Sequence, residues 1–349
     1  MTLSFFYLTI YPVFCYNKIN FNEYILSASL VTVKEGISME IKNVSLIGLG
    51  AVGAIAAVAA YNALGRQNLQ IIASGQRAER LKKQDLMING KSYHFNIVSP
   101  EEKTSPSDLV IVAVKDYSLQ EAIKDIKNHV DERTVIIALM NGITSEEKLG
   151  TVYGMEKLLY STVTISSQRS SKGVRFSTRT GGINIGEKDG NTQTERLLAV
   201  QSLFKKGGIP CMISSTIIRD LWVKLLINAS GNTVQVLLRG PHEYFQKIEE
   251  ANSAMTLIMR EVVAVSKAAG TGLTEEDITK LYRYRDNYPP ENYSSMAQDL
   301  LAGRHMEIDA LLGVILDLGR HYGIPTPVCE FTYDLLHTLN AVNAGALEK

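Results

Sequence analysis

The chain has 349 residues, no net charge at neutral pH and 45% hydrophobic content, enough for about two domains with substantial cores. No basic stripe interleaved with aromatics occurs, which argues against nucleic acid as a partner. Three distant cysteines (Cys15, Cys211, Cys329) and six scattered histidines form no ligand spacing or disulfide framework, so no metal is expected and the setting reads as reducing and cytoplasmic.

Residues 1–38 stand apart. Phe5 to Tyr16 is apolar, but it contains Pro12 and is too short to span a bilayer. No basic region or small-residue cleavage site marks a signal peptide. The expectation is a native start at Met39, with 1–38 a non-native or disordered extension; Lys34-Glu35-Gly36 is encodable by a purine-rich ribosome-binding sequence. A membrane-touching tail is the alternative, and no membrane partner is expected elsewhere.

Val44 to Ile47 reads as a buried strand running into Gly48-Leu49-Gly50-Ala51-Val52-Gly53 and an alanine-rich helix to Ala63. This is the context in which a glycine-rich turn cradles a dinucleotide pyrophosphate: one glycine turns, one admits the phosphate, one lets helix and strand approach. The helix N-terminus adds free N–H groups and partial positive charge. The second strand, Leu69 to Ala73, ends without an acid and is followed by Ser74, Arg77 and Arg80. A carboxylate would repel a 2′-phosphate, whereas arginine pairs with it, so NADPH is favoured over NADH. The alternative is that Arg77 and Arg80 form the solvated face of a short helix, a reading that suits Arg80 better than Arg77, which sits where the adenosine end should lie.

Leu86 to Val98 reads as a hairpin about Asn89-Gly90. Asp108 to Val114 and Thr134 to Leu139 are apolar runs suited to central parallel strands, separated by a helix from Ser118 to His129. Each run ends in polar residues, placing Lys115 and Asn141 at the cofactor crevice. Short strands with glycine turns follow to Gly186, then a helix over 192–206 and a strand near Cys211. From Ile217 the periodicity is helical. The predicted architecture is an α/β Rossmann-type dinucleotide-binding domain (39–215) followed by an all-helical domain (216–349), with a cleft between them.

Lys224, Asn228 and Asn232 recur every four residues among Trp222, Leu225, Leu226 and Ile227, which predicts one polar helix face in apolar surroundings. A solvated stripe is the plain alternative, but asparagine is a poor helix former and solvated faces favour long charged residues. An embedded lysine with two amides suits an anionic, oxygen-rich small molecule, and burial tunes the lysine toward proton donation near neutrality. A second polar cluster contains Asn292, Ser295, Asp299, Glu307 and Asp309, the last two ahead of an apolar helix.

With Ser294-Ser295-Met-x-x-Asp299, Gly303-Arg304-x-x-Glu307-Ile-Asp309 and Gly323-Ile-Pro-Thr-Pro327, these motifs resemble ketopantoate reductases over about residues 42–340. The resemblance implies an NADPH-dependent 2-dehydropantoate 2-reductase of pantothenate biosynthesis. It makes Lys224 the catalytic proton donor, with Glu307 ordering lysine, substrate and cofactor ribose. It gives Asn228, Asn232, Asn292 and Ser295 to the substrate, and Gly48 to Gly53, Lys115, Asn141 and Ser167 to the cofactor. Thr233, Met306, Leu312, Ser167 and His242 depart from residues common in the family, which opens the identity of the 2-keto acid. A sister reductase of another 2-keto acid and a non-catalytic NADP(H) sensor are the competing readings; a homodimer through an apolar face of the helical domain is compatible with all three.

Overall fold

The computed structural model describes residues 39–346 other than 180 and 287; the expectations for residues 1–38 lie outside the described residues. The first half runs β1 (Val44–Ile47), α1 (Ala51–Leu64), β2 (Leu69–Ile72), α2 (Gly75–Lys83), β3 (Leu86–Ile88), β4 (Lys91–Tyr93), β5 (Asn96–Val98), β6 (Leu109–Val112) and α3 (Leu119–Asp125). It continues through β7 (Val135–Ala138), α4 (Ser145–Tyr153), β8 (Leu158–Val163), β9 (Ser166–Ser170), β10 (Gly173–Ser177), β11 (Ile183–Gly186), α5 (Glu195–Lys206) and β12 (Cys211–Ile213).

Eight strands form one sheet in the order β12-β11-β8-β7-β6-β1-β2-β5, parallel except where β11 meets β8. The chain leaves β1 toward β2 and later returns to the other side of β1 as β6, so the loops after β1 and β6 open at a topological switch point. Alternation along β6 sends Leu109 and Ile111 to one core and Val110 and Val112 to the other, and all four are fully buried. The small side chains of α1 let neighbours approach closely: a Cβ at Gly207, just past α5, would lie 2.2 Å from the Ala59 carbonyl oxygen.

The turn at Asn89-Gly90 forms as expected, both residues having positive φ and joining β3 to β4 with Ile88 opposite Lys91. The hairpin, however, stops at Tyr93 rather than Val98. Asn96–Val98 instead pairs in parallel with β2, because Ile97 and Val98 find the two cores of the main sheet. β3 and β4 join β10 and β9 in a separate four-stranded sheet.

The second half comprises α6 (Ile217–Ile227), α7 (Thr233–Leu238), α8 (Glu243–Lys247), α9 (Glu249–Ala268), α10 (Glu275–Arg285), α11 (Ser295–Leu301), α12 (Val314–Tyr322) and α13 (Pro327–Asn343). Its core centres on α9, whose Met255, Ile258, Met259, Val262 and Val265 follow helical spacing. Two π-helical turns interrupt it, Asn228–Asn232 between α6 and α7, and Asp309–Gly313 ahead of α12. The continuous α-helix expected through Asn232 is therefore broken. Ser230 Oγ donates to the Leu226 carbonyl at 2.6 Å and Thr233 Oγ1 to the Ala229 carbonyl at 2.5 Å, each hydroxyl bonding back to the carbonyl four residues before it. Among the described residues no helix is long and apolar enough to cross a membrane.

Candidate active site

A cleft of about 800 Å³ opens between the carboxyl ends of β1, β6 and β7 and the helical half. Its first wall is the turn between β1 and α1. Gly48 has φ +97°, and a Cβ there would sit 2.4 Å from the Ala113 carbonyl oxygen; one at Gly53 would sit 2.1 Å from the Gly48 carbonyl oxygen. Packing demands both glycines. Gly50 differs: a Cβ there would meet nothing nearer than Gly48 O at 4.0 Å, and the residue faces the cleft with Ala51 and Val52. No side chain caps α1 at its N-terminus, so its first N–H groups remain available to an anion. Gly48, Leu49 and Gly53 lie beneath this surface rather than on it.

Opposite stands a tight charge network. Lys115, just after β6, places Nζ 2.6 Å from Glu307 Oε2 and 2.9 Å from Asp299 Oδ2. Desolvation works to lower its pKa, but the Glu307 and Asp299 charges prevail and hold it above the ordinary lysine value. Glu307 also accepts the Asp116 backbone N–H at 3.1 Å and the Asn141 amide at 3.3 Å, and Arg304 Nε donates to Asp299 Oδ1 at 2.8 Å. The loop after β7 rests directly on the second π-helical turn: a Cβ at Gly142 would lie 3.0 Å from the Ala310 carbonyl oxygen. Residues nearly 200 positions apart thus close one end of the cleft.

The cleft floor comes from α6 and the first π-helical turn. Lys224, Asn228 and Asn232 all line it, and among the described residues no hydrogen bond engages their side-chain nitrogens or oxygens. The two π-helical turns pack on each other, which steadies the amides against the Glu307 segment. Desolvation brings the Lys224 ammonium down to about 8, although Glu307 and Glu146 pull the other way. Asn292 and Ser295 also face the cleft. Their loop is held by Gln235, which the sequence reading passed over: its Nε2 donates to the Asn292 carbonyl at 3.0 Å and its Oε1 accepts the Ser294 N–H at 2.7 Å. A lone glutamine three residues past Asn232 on an apolar helix was the available signal. His242 lines the same end, its ring against Phe245 and Tyr288.

Ser167 reaches the cleft from β9, but Ser74 and Arg77 sit outside it, exposed at the start of α2. Arg169 of β9, also missed from sequence, lines the cleft within reach of the Arg77 charge and donates to the Leu49 carbonyl at 2.8 Å. Partial desolvation and the like charges of Arg169 and Arg80 hold Arg77 below its ordinary value. No ion pair within the described residues neutralises these three guanidiniums. Such a cluster is suited to an anion arriving beside the glycine turn.

The ketopantoate reductase PanE/ApbA family matches residues 44–190, and the family's C-terminal region matches residues 216–340. The 2-dehydropantoate 2-reductase of Aquifex aeolicus (strain VF5) is 29% identical over 237 residues, spanning 66% of this chain and 76% of that protein. The solved 2-dehydropantoate 2-reductase of Geobacter metallireducens GS-15 superposes with a TM-score of 0.76 at 25% identity, over 85% of this chain and 99% of that one. A ternary structure of D-mandelate dehydrogenase with NADH and anilino(oxo)acetate shares the fold with a TM-score of 0.76 at 22% identity, over 86% and 99%. The chain belongs to the ketopantoate reductase family, which supports an oxidoreductase acting on a 2-keto acid.

Proposed function

We propose that the chain reduces 2-dehydropantoate to (R)-pantoate with NADPH, the reductive step of pantothenate and coenzyme A biosynthesis, as a cytoplasmic enzyme. The carrying observation is Lys224, an ammonium that desolvation brings down to about 8, which shares the cleft floor with two amides in the cleft that the glycine turn also lines. The residues fit the cofactor. Gly50 leaves open the space a pyrophosphate needs, and α1 presents an uncapped N-terminus to it. Ser74, Arg77 and Arg169 would hold the adenosine end and its 2′-phosphate, with Lys115, Asn141, Ser167 and Glu307 toward the nicotinamide. When bound, NADPH supplies the hydride that reduces the ketone carbon.

Lys224 gives a proton from Nζ to the ketone oxygen and stabilises the charge that builds there, the contribution that usually dominates such a step. Its lowered pKa keeps most of it protonated at neutrality yet makes the proton easy to release. Asn228 and Asn232 orient the keto acid by amide hydrogen bonds, and Ser295 with Asn292 holds its carboxylate end. Glu307, fixed by Lys115, Asn141 and the Asp116 N–H, keeps a negative charge near Lys224 without pairing it directly. We place a homodimer contact on Phe331, Leu335 and Val342, exposed apolar residues at helical spacing along α13.

A second reading, a reductase of a bulkier 2-keto acid, is favoured by the apolar wall of Phe245, Met255, Met259 and Leu281 in the same cleft. Measuring kcat/KM for 2-dehydropantoate and for an aryl 2-keto acid, each with NADPH and NADH, separates the two. The proposal expects 2-dehydropantoate with NADPH to be the best pair; preference for the aryl acid moves the assignment to the sister reductase.

A further inference from the structure

The first turn of α4 contains a carboxyl that the reaction just described does not use. Glu146 has no solvent exposure. Ser145 Oγ donates to its Oε2 at 2.8 Å, whereas Oε1 has no hydrogen-bond partner among the described residues. Burying a carboxylate this incompletely satisfied is costly, so its charge must be tied to a nearby cation or given up. Desolvation pushes it up to about 7, against the Ser145 hydrogen bond and the weaker pull of the Glu146 and Ser161 backbone N–H groups, with the Glu147 charge adding to the rise.

Packing brings this carboxyl to the catalytic corner. α4 and α6 both lie against β8. A small apolar core ties the three together: Tyr160 of β8, Ile217 and Leu221 of α6, and Ile143 just ahead of α4. Lys224 lies one helical turn beyond Leu221 on α6. Its ammonium feels two carboxyls, Glu307 from the helical half and Glu146 from the nucleotide half. Tyr160 does not cap Glu146, because its hydroxyl donates to Glu147 Oε1 at 3.0 Å. The ionisable groups around the pair are therefore Glu147 and Tyr160 near Glu146, and Glu307, itself held by Lys115, near Lys224.

We propose that Glu146 is a positioning residue for Lys224: its buried carboxyl sets the proton affinity of the ammonium from the side away from solvent. The proposal rests on Lys224 as proton donor. In turnover the Lys224 N–H bond breaks and the substrate O–H bond forms, leaving a neutral amine. That amine regains its proton from solvent, and the ionised Glu146 favours the return. Glu146 itself makes and breaks no bond.

The test is Glu146→Gln, which keeps the shape and removes the charge. Lys224 is titrated directly, without substrate, by the pH dependence of its acetylation by acetic anhydride, read by peptide mass mapping. Loss of the carboxylate lowers the Lys224 midpoint by about one pH unit and brings down the alkaline limb of kcat with it, about fivefold in rate near pH 8, with little change in KM. If Glu146→Gln does not fold, Ser145→Ala moves the midpoint the same way by less, because it removes the hydrogen bond that favours the ionised carboxyl. A midpoint that stays put in a folded variant overturns the proposal, even if kcat or Tm falls. A midpoint that moves in a protein that reduces no 2-keto acid upholds the coupling and refutes the assigned reaction instead.

Discussion

Two lysines face the cleft from opposite halves of the molecule, and their surroundings drive them apart. Lys115 sits between Glu307 and Asp299, and the two charges hold it protonated above the ordinary range. Lys224 sits among apolar residues of its helix with no direct partner among the described residues, so desolvation prevails and brings it to about 8. Both are ammoniums at neutral pH, but only one gives up its proton readily. A lysine in two salt bridges acts as a strut across the cleft; a desolvated lysine held near two carboxyls without touching them is suited to acid catalysis. Glu307 serves both, bonded to the first and felt at a distance by the second.

The largest expected effect separates chemistry from stability. Lys224→Met lowers kcat by about a thousandfold or more, because both the proton and the charge at the oxygen are lost. Thermal unfolding of the same variant shows an unchanged or higher Tm, since an apolar chain replaces a desolvated charge. A clear fall in Tm breaks the contrast.

Lys115→Met behaves the opposite way. It leaves nearly buried Glu307 without its cation and Asp299 with Arg304 alone, and costs about 2 kcal/mol by denaturant unfolding, less than a fully buried pair because the Lys115 side chain is itself 37% exposed. It also frees Glu307 to act on Lys224 alone, so the alkaline limb of kcat moves up in pH. A limb that stays in place contradicts the shared role of Glu307.

Alkaline unfolding sharpens the comparison further. Lys224 has its folded pKa lowered from 10.5 to about 8, so the unfolded chain binds more protons between those values and stability rises with pH across that window. Lys115 is raised above 10.5, so its contribution is complete below 10.5 and is lost as pH climbs through the higher folded value. The stability gap between wild type and Lys224→Met therefore narrows from pH 8 to 10.5, while that for Lys115→Met persists.

The smallest effect concerns the arginines at and just outside the rim of the cleft, which no ion pair among the described residues neutralises. Arg77→Ala weakens NADPH binding about tenfold and leaves NADH nearly unchanged, as expected for one exposed charge-assisted contact to a phosphate. Equal losses for both nucleotides place the 2′-phosphate elsewhere.

What the sequence revealed and what it hid divide along physical lines. The glycine turn was legible because its spacing and its strand-to-helix setting lie within one short segment, although the atom that Gly48 answers to, the Ala113 carbonyl oxygen, comes from the distant end of β6. The polar recurrence of Lys224, Asn228 and Asn232 was legible too, but the π-helical turn was not, because a four-residue repeat suits either helix. Asn89-Gly90 announced a turn correctly, yet the fate of Asn96–Val98 depended on a vacant edge of the main sheet. Gln235 and Arg169 act through partners 57 to 120 residues away, beyond any spacing argument. Glu146 occupies a first helical turn, as acids commonly do, and no motif singles it out in the sequence; only its burial sets it apart.

The most direct test of the central claim is NADPH oxidation with 2-dehydropantoate, comparing wild type with Lys224→Ala and confirming NADPH binding by both. Rapid oxidation by wild type and near silence from a Lys224→Ala protein that still binds NADPH is the predicted result. Turnover by Lys224→Ala close to that of wild type would contradict the account.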